Sequence, residues 1–412
     1  MNRAAPRPIW AGRTVALLAI VLFALNLRTA VAAISPIVAL VSKDIPLGAV
    51  GFGVLGTLPP IAFATSGVLA PLVARRLGLE TTMVLACVAM IVGPLVRALA
   101  PNYAVLLVGS AVAFAGMGFG NILLPPSVKK YFPDRIGQLT AAYATIMSIG
   151  TALPPLLAIP IAAAAGWRVS VAAWLVFAVC ALLPWIVMRA RAGRIASLER
   201  EQNLVPEARA DLLGRMPRSR TAIAMAIAFA VPAFNGYAFF AWLPELLKER
   251  AGSTPAQAGA ILALLAITGL PLALVTPILA SRLHNVGYLI WAGIAFFLVG
   301  YLGLLLVPTV VPWLWALLSG LGSVIFPLCL AMIGLRTKSP DGAVALSGFV
   351  QGIGYGVGAL GPLLFGILRD MSGGWAAPLV LVLAVTLVAI VPAVLLRAPS
   401  FVEDELTAAG RR

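Results

Sequence analysis

Arg28 stands inside an apolar run, Thr14 to Ile34, that is long enough to cross a bilayer. A guanidinium at that depth costs roughly 2.5–3.5 kcal/mol on insertion scales, so such residues face a bundle interior or a water-filled cavity and pair with something. The 14 acidic residues fall in loops, tails or at the edges of apolar runs, so no embedded carboxylate neutralises it. An unpaired cation in that position points to an anionic or strongly dipolar ligand. The other polar side chains left inside apolar runs are Asn26, Asn121, Tyr143, Asn235, Tyr237, Trp242, Gln351 and Tyr355. Each needs a partner in hydrocarbon, and either a neighbouring helix or a ligand can supply one. Asn26 is two residues from Arg28, about 200° away around a helix, so the two cannot face one cavity together. The expected substrate-binding set is therefore Arg28, Asn121, Tyr143, Asn235, Tyr237, Trp242, Gln351 and Tyr355, with Asn26 in a structural role.

Nothing in the chain is arranged for catalysis. Cys87, Cys180 and Cys329 each fall in an apolar run with no metal-ligand spacing, and the single histidine, His284, sits in a short loop beside Arg282. No nucleophile–base pair or metal cluster is formed, so an enzyme or sensor is disfavoured and no cofactor is expected. Gly118-x-Gly120 has no strand before it and does not read as a dinucleotide loop.

The elements that must position Arg28 follow from composition. The 412 residues are 61% hydrophobic and 10% charged, against about 25% charged in soluble domains. Many separate runs of this length mean helices rather than the alternating strands of a barrel. The first run is too long, and lacks the small-residue site, for a cleaved signal peptide. Twelve spans are expected, at roughly 14–36, 48–73, 81–99, 103–126, 136–162, 168–188, 221–247, 255–280, 285–307, 310–335, 342–368 and 375–396. With the N-terminus in the cytoplasm, 22 of the 29 Lys and Arg fall on the cytoplasmic side and six opposite, Arg97 among the six. The positive-inside rule then places both termini in the cytoplasm. The net charge of +15 is thus a topology signal and excludes a nucleic-acid partner.

The two halves repeat one another. Pro71-Leu-Val-Ala-Arg-Arg76 returns as Pro277-Ile-Leu-Ala-Ser-Arg282, Pro133-Asp134 as Pro340-Asp341, Pro155-Leu-Leu as Pro362-Leu-Leu, and Gly166-Trp167 as Gly374-Trp375, at offsets of 206 to 208. Six spans per repeat make the halves parallel, related by an axis along the membrane normal. The expected organisation is a six-helix bundle over 1–188, a cytoplasmic linker over 189–220, and a second bundle with a short tail over 221–412. Glycines 109, 116, 118 and 120, and 348, 352, 354, 356, 358 and 361, mark close helix packing. The pairs Pro59-Pro60, Pro125-Pro126 and Pro154-Pro155 bend helices and free carbonyls that can face a cavity.

The loop Pro71–Glu80 resembles the major facilitator pattern Gly-x-Leu-Ala-Asp-Arg-x-Gly-Arg-Arg, but Arg75 stands where that pattern is acidic. Arg75, Arg76, Arg282 and Arg336 are the expected gating or structural cations. Asn26-Leu-Arg28 with Ser35-Pro36, Gly120-Asn-Ile-Leu-Leu-Pro125, Lys129-Lys-Tyr-Phe-Pro-Asp-Arg135, Ala241-Trp-Leu-Pro244, Phe326-Pro327, Ile333-Gly-Leu-Arg336 and Gly361-Pro-Leu-Leu-Phe-Gly366 continue the likeness. These motifs resemble the cyanate transporter (CynX/NimT) branch of the major facilitator superfamily over nearly the whole chain. Thr29 replaces the usual Pro, and the glutamines that branch often carries near Pro232-Ala233 and at Ser323 are missing here. The resemblance implies an all-α integral membrane protein, with two parallel six-helix repeats around a central cavity. It implies secondary transport of a small anion such as cyanate, or export of nitroimidazole-type compounds, across the inner membrane. The competing reading from the residues is a multidrug-type exporter of neutral compounds using Tyr237, Phe239, Trp242, Phe326 and Tyr355, and a monomer is expected.

Overall fold

The computed structural model describes residues 13–46, 49–201 and 212–409. Arg3 and Arg7 of the N-terminal charge cluster and residues 202–211 of the expected linker lie outside that range. Among the described residues every regular element is helical, as hydrocarbon demands of a chain that must satisfy its backbone within each span. In order these are α1 (Thr14–Asn26), α2 (Thr29–Ala32), α3 (Val38–Asp44), α4 (Ala49–Leu77), α5 (Leu79–Ala98), α6 (Tyr103–Tyr131), α7 (Ile136–Ala165), α8 (Trp167–Ala172) and α9 (Leu175–Glu201). The second half has α10 (Arg220–Ala251), α11 (Pro255–Ile267), α12 (Gly269–Arg282), α13 (Gly287–Leu306), α14 (Pro312–Leu321), α15 (Ile325–Leu335), α16 (Pro340–Ser372), α17 (Ala376–Val388), α18 (Ile390–Leu395) and α19 (Val402–Ala409).

Among the described residues eleven helical stretches are long and apolar enough to cross a membrane, and twelve when Ile136–Thr151 and Leu156–Ala165, bent by 44° in α7, count as one span. Helix α9 carries on past the expected end of the sixth span at 188, as far as Glu201, through residues that favour helix. One expectation needs correction: the first span is not one helix. It breaks after Leu27, and Arg28 sits in the break with φ −132° and ψ −11°.

A local side chain satisfies a carbonyl that the break disturbs: Thr29 Oγ1 donates to the Asn26 carbonyl at 3.2 Å, while Asn26 Nδ2 turns back along α1 to the Leu22 carbonyl at 2.9 Å. Helix α7 presses on the same place, where a Cβ at Gly150 would stand 2.1 Å from the Leu25 carbonyl oxygen.

The two ends of the bundle differ. One, the basic end, carries Arg13, Arg76, Lys130, Arg135, Arg282 and Lys338. There the halves touch: α4 meets α16 at Gly67, Gly348 and Gly352, and α7 meets α12 where Gly137 faces Pro277 and Ser281. Ser347 Oγ donates to the Ile122 carbonyl at 2.5 Å, a further tie between α16 and α6. The opposite, far end holds each half together internally. Asp44 accepts from Trp167 Nε1 at 2.9 Å and from Arg168 at 2.5 Å, and these bonds hold its carboxyl below the usual range. In the second half Glu249 accepts from Trp375 Nε1 at 2.7 Å and from Arg369. The repeated Gly-Trp pairs of the sequence thus bracket one clasp in each half.

Candidate functional site

Between the halves lies a cavity of about 410 Å³. Helices α2, α4, α7, α10, α11, α12, α15 and α16 line it, with Arg28 at the break before α2. Lining residues such as Gly56, Thr151, Phe240 and Leu265 come from the middle and far portions of their helices, while the basic portions are packed together. The cavity is therefore blocked toward the basic end.

Among the described residues Arg28 is the one charged residue in this lining. Its Nη2 donates to the Tyr355 hydroxyl at 3.2 Å, joining the first span to α16 across the two halves. The guanidinium carbon lies 5.0 Å from the Phe63 ring centroid, and that ring in turn packs on Tyr355 at 5.2 Å. A second ring, Phe229, flanks Tyr355 at 5.1 Å. The cation thus spends one donor on a phenol and stacks on a π face, with no carboxylate to neutralise it. An arginine presents five N–H donors in a planar fork, so several remain for a planar anion. Tyr237 lines the same cavity, close enough to Arg28 to interact electrostatically.

The structure brings Arg28, Tyr237 and Tyr355 together at the cavity. The remaining five expected contacts, Asn121, Tyr143, Asn235, Trp242 and Gln351, do not line it. Gln351 Nε2 donates to the Asn121 carbonyl at 2.9 Å and to Ser347 Oγ at 2.8 Å, a tie between halves on the basic side of the cavity. Asn121 Nδ2 turns back to the Met117 carbonyl. Asn235 Nδ2 bonds Thr386 Oγ1 at 3.0 Å, linking α10 to α17, and Trp242 Nε1 bonds the Pro362 carbonyl at 2.9 Å. Tyr143 is buried in the core. A polar residue in an apolar run needs a partner, and for most of these the partner is the next helix.

The other expected roles divide similarly. Arg75 and Arg76 end α4, and Arg282 ends α12, all three exposed at the basic end. Arg336 is buried, and its guanidinium donates to the Ala398 and Leu396 carbonyls at 2.9 and 3.1 Å, closing the end of α18. Phe239 does not face the cavity but packs on Tyr301 at 4.6 Å; its neighbour Phe240, 51% exposed, lines the cavity instead. Phe63, Met147, Ser148 and Thr151 also line it and were missed, because apolar and hydroxyl residues within a span carry no sequence signal of which way they face.

Residues 16–322 match the family model of the Major Facilitator Superfamily. The chain is 31% identical over 374 residues to the uncharacterized transporter YycB of Bacillus subtilis (strain 168), covering 90% of each chain. It is 32% identical to the 2-nitroimidazole transporter of Escherichia coli (strain K12), over 89% of this chain and 91% of that one. To the cyanate transport protein CynX of the same strain it is 27% identical, over 87% and 91%. Among solved structures, the proton:xylose symporter XylE superposes with a TM-score of 0.72 at 13% identity, covering 96% of this chain and 98% of that one, which speaks to the fold. The chain is therefore a multi-pass membrane transporter of a small solute rather than an enzyme, and it belongs to the Major Facilitator Superfamily, beside its CynX/NimT cyanate-transporter branch.

Proposed function

We propose that this transporter moves a small monoanion across the inner membrane by alternating access, with Arg28 as the charge anchor and Tyr237 and Tyr355 as hydroxyl contacts from the opposite half. The observation that carries this reading is the lone guanidinium in a cavity with no other charged lining residue among those described. A neutral ligand would leave that charge desolvated and uncompensated; an anion removes the penalty. Cyanate, transported by the relative CynX according to its name, is an anion of this kind. The basic end is read as cytoplasmic from the distribution of Lys and Arg, so both termini are cytoplasmic and the closed basic end makes this the outward-facing state. The six-helix bundles over 1–188 and 221–412 are the bodies that rock, joined by 189–220, in a monomer.

A second reading, export of neutral nitroimidazole-type compounds, draws support from the aromatic walls Phe63, Tyr237, Phe240, Phe326 and Tyr355 and from the 2-nitroimidazole relative. Proteoliposome uptake separates the two readings. With cyanate and neutral 2-nitroimidazole as paired probes, the anchor reading expects Arg28→Ala to abolish cyanate uptake and Arg28→Lys to restore part of it, since a point charge lacks the planar fork. Cyanate uptake at the parent rate in Arg28→Ala would refute it.

A further inference from the structure

Among the described residues Arg97 is buried, as Arg336 is, although the charge distribution puts it in a far-side segment. Arg97 lies in the last turn of α5 and is 1% exposed. Its Nη1 donates to the Ala30 carbonyl at 2.9 Å, its guanidinium carbon stands 5.5 Å from the Phe114 ring centroid, and its Nε has no hydrogen-bond partner. Among the described residues no carboxylate pairs with it. A buried cation of this kind is costly, and its hydrogen-bonded partner tells where the cost is recovered.

That partner is informative. Ala30 belongs to the four-residue helix α2, which begins immediately after the break that holds Arg28. The helix backbone is interrupted on both sides of Ala30, by the break at Leu27–Arg28 and again before the 3₁₀ turn Ser35–Ile37. Thr29 satisfies the Asn26 carbonyl on the α1 side of the break. Arg97 reaches from another span to hold the α2 side. Its seat is prepared for it: a Cβ on Gly109 would stand 2.9 Å from Arg97 Cγ, so α6 presents a glycine where the arginine stem passes.

We propose that Arg97 is a positioning residue for transport: its charge-assisted bond to the Ala30 carbonyl fixes the rotation of α2 relative to α1, and so aims Arg28 into the cavity. Without that bond the break relaxes toward a continuous helix, which turns about 100° per residue and carries Arg28 and Val31 to new directions. Arg28 and Arg97 then have separate duties, one toward solute and one toward backbone. The functional part of this inference rests on Arg28 as the anchor; the structural part does not.

The test uses the full-length protein, freed of its three cysteines, with one cysteine introduced at Val31 or at Thr151. Both positions line the cavity, but only Val31 belongs to α2. Labelling with a membrane-impermeant methanethiosulfonate is followed in the presence of Arg97, Arg97→Met and Arg97→Lys. The methionine keeps an unbranched apolar stem while removing charge and donor. The expected result is a tenfold or greater fall in Val31→Cys labelling in Arg97→Met, no change at Thr151→Cys, and partial recovery in Arg97→Lys. Unchanged labelling at both positions would overturn the proposal, and so would an equal fall at both, which marks a general packing role. Should Arg97→Met not assemble, Arg97→Gln is read against the same criteria. No solute enters this measurement, so parent-rate uptake in Arg28→Ala, which sinks the anchor, is a separate result.

Discussion

The closed basic end rests on backbone contact, and one methyl group should open it. A Cβ added at Gly67 of α4 would stand 2.2 Å from Gly352 Cα and 2.7 Å from the Gly348 carbonyl oxygen of α16. Ordinary contact begins at 3.4 Å, so Gly67→Ala forces the two helices more than 1 Å apart. The obstructing atoms are backbone and cannot rotate away. Overpacking of this sort costs about 1–3 kcal/mol. The penalty falls on the state in which the basic end is shut and vanishes once the halves separate there. It therefore shifts the ratio of the two states by roughly 5–150-fold. A cysteine at Gly236, which lines the cavity and has open space around its Cβ, reports that ratio. Its modification by an impermeant thiol reagent is compared from the two faces of oriented vesicles. Gly67→Ala should lower the far-side to basic-side labelling ratio by that factor, and Gly356→Ala, whose Cβ would meet nothing nearer than 3.9 Å, should leave it alone. An unchanged ratio in folded Gly67→Ala would show that the glycine contact does not hold the basic end.

Tyr355→Phe removes the hydroxyl that accepts from Arg28 but keeps the ring between Phe63 and Phe229. At about 1.5–3 kcal/mol for a hydrogen bond to a charged group, the KM for an anion should rise by roughly 10–150-fold in initial-rate uptake, with expression unchanged. Among the described residues the cavity lining contains no carboxylate to carry a proton, so uptake of a permanently ionised analogue should leave the lumenal pH constant. A pH-sensitive dye trapped inside the vesicles checks this, and a stoichiometric proton flux would contradict it. In the tail helix α19, burial raises the Glu405 carboxyl, but bonds donated by Ser219, Thr221 and Ser400 outweigh it and leave the net shift downward. A depressed carboxyl stabilises docking above its unfolded value, near 4.3, and that contribution is lost as pH falls through the lower folded value. Proteolysis of the tail should therefore rise in acid, and Glu405→Gln should show the fast cleavage already at neutral pH.

Much of the architecture is legible in the order of residues along the chain. Hydropathy locates the spans because every membrane-crossing segment must be apolar along its own length, and the Pro-Asp and Gly-Trp repeats reveal two parallel halves because duplicated elements keep their order. Arg28 stands out for the same local reason: a charge in an apolar run is visible residue by residue. The resemblance of Asn26-Leu-Arg28 and the later motifs to a transporter branch is a property of order and spacing too. Which way each side chain faces is not. Gln351, Asn121 and Asn235 look as ligand-ready as Tyr355 in the chain, yet their donors go to neighbouring helices or back to their own. Arg97, near the end of its run, looks like an interfacial charge and is instead buried against a carbonyl of the first span. The break that exposes Arg28, the glycine contact that closes the basic end and the aromatic bed beneath the guanidinium all depend on pairs of residues dozens to hundreds of positions apart. Local composition determines what can lie in the membrane; only the packing of one helix on another decides which polar groups are satisfied by protein and which are left for a solute.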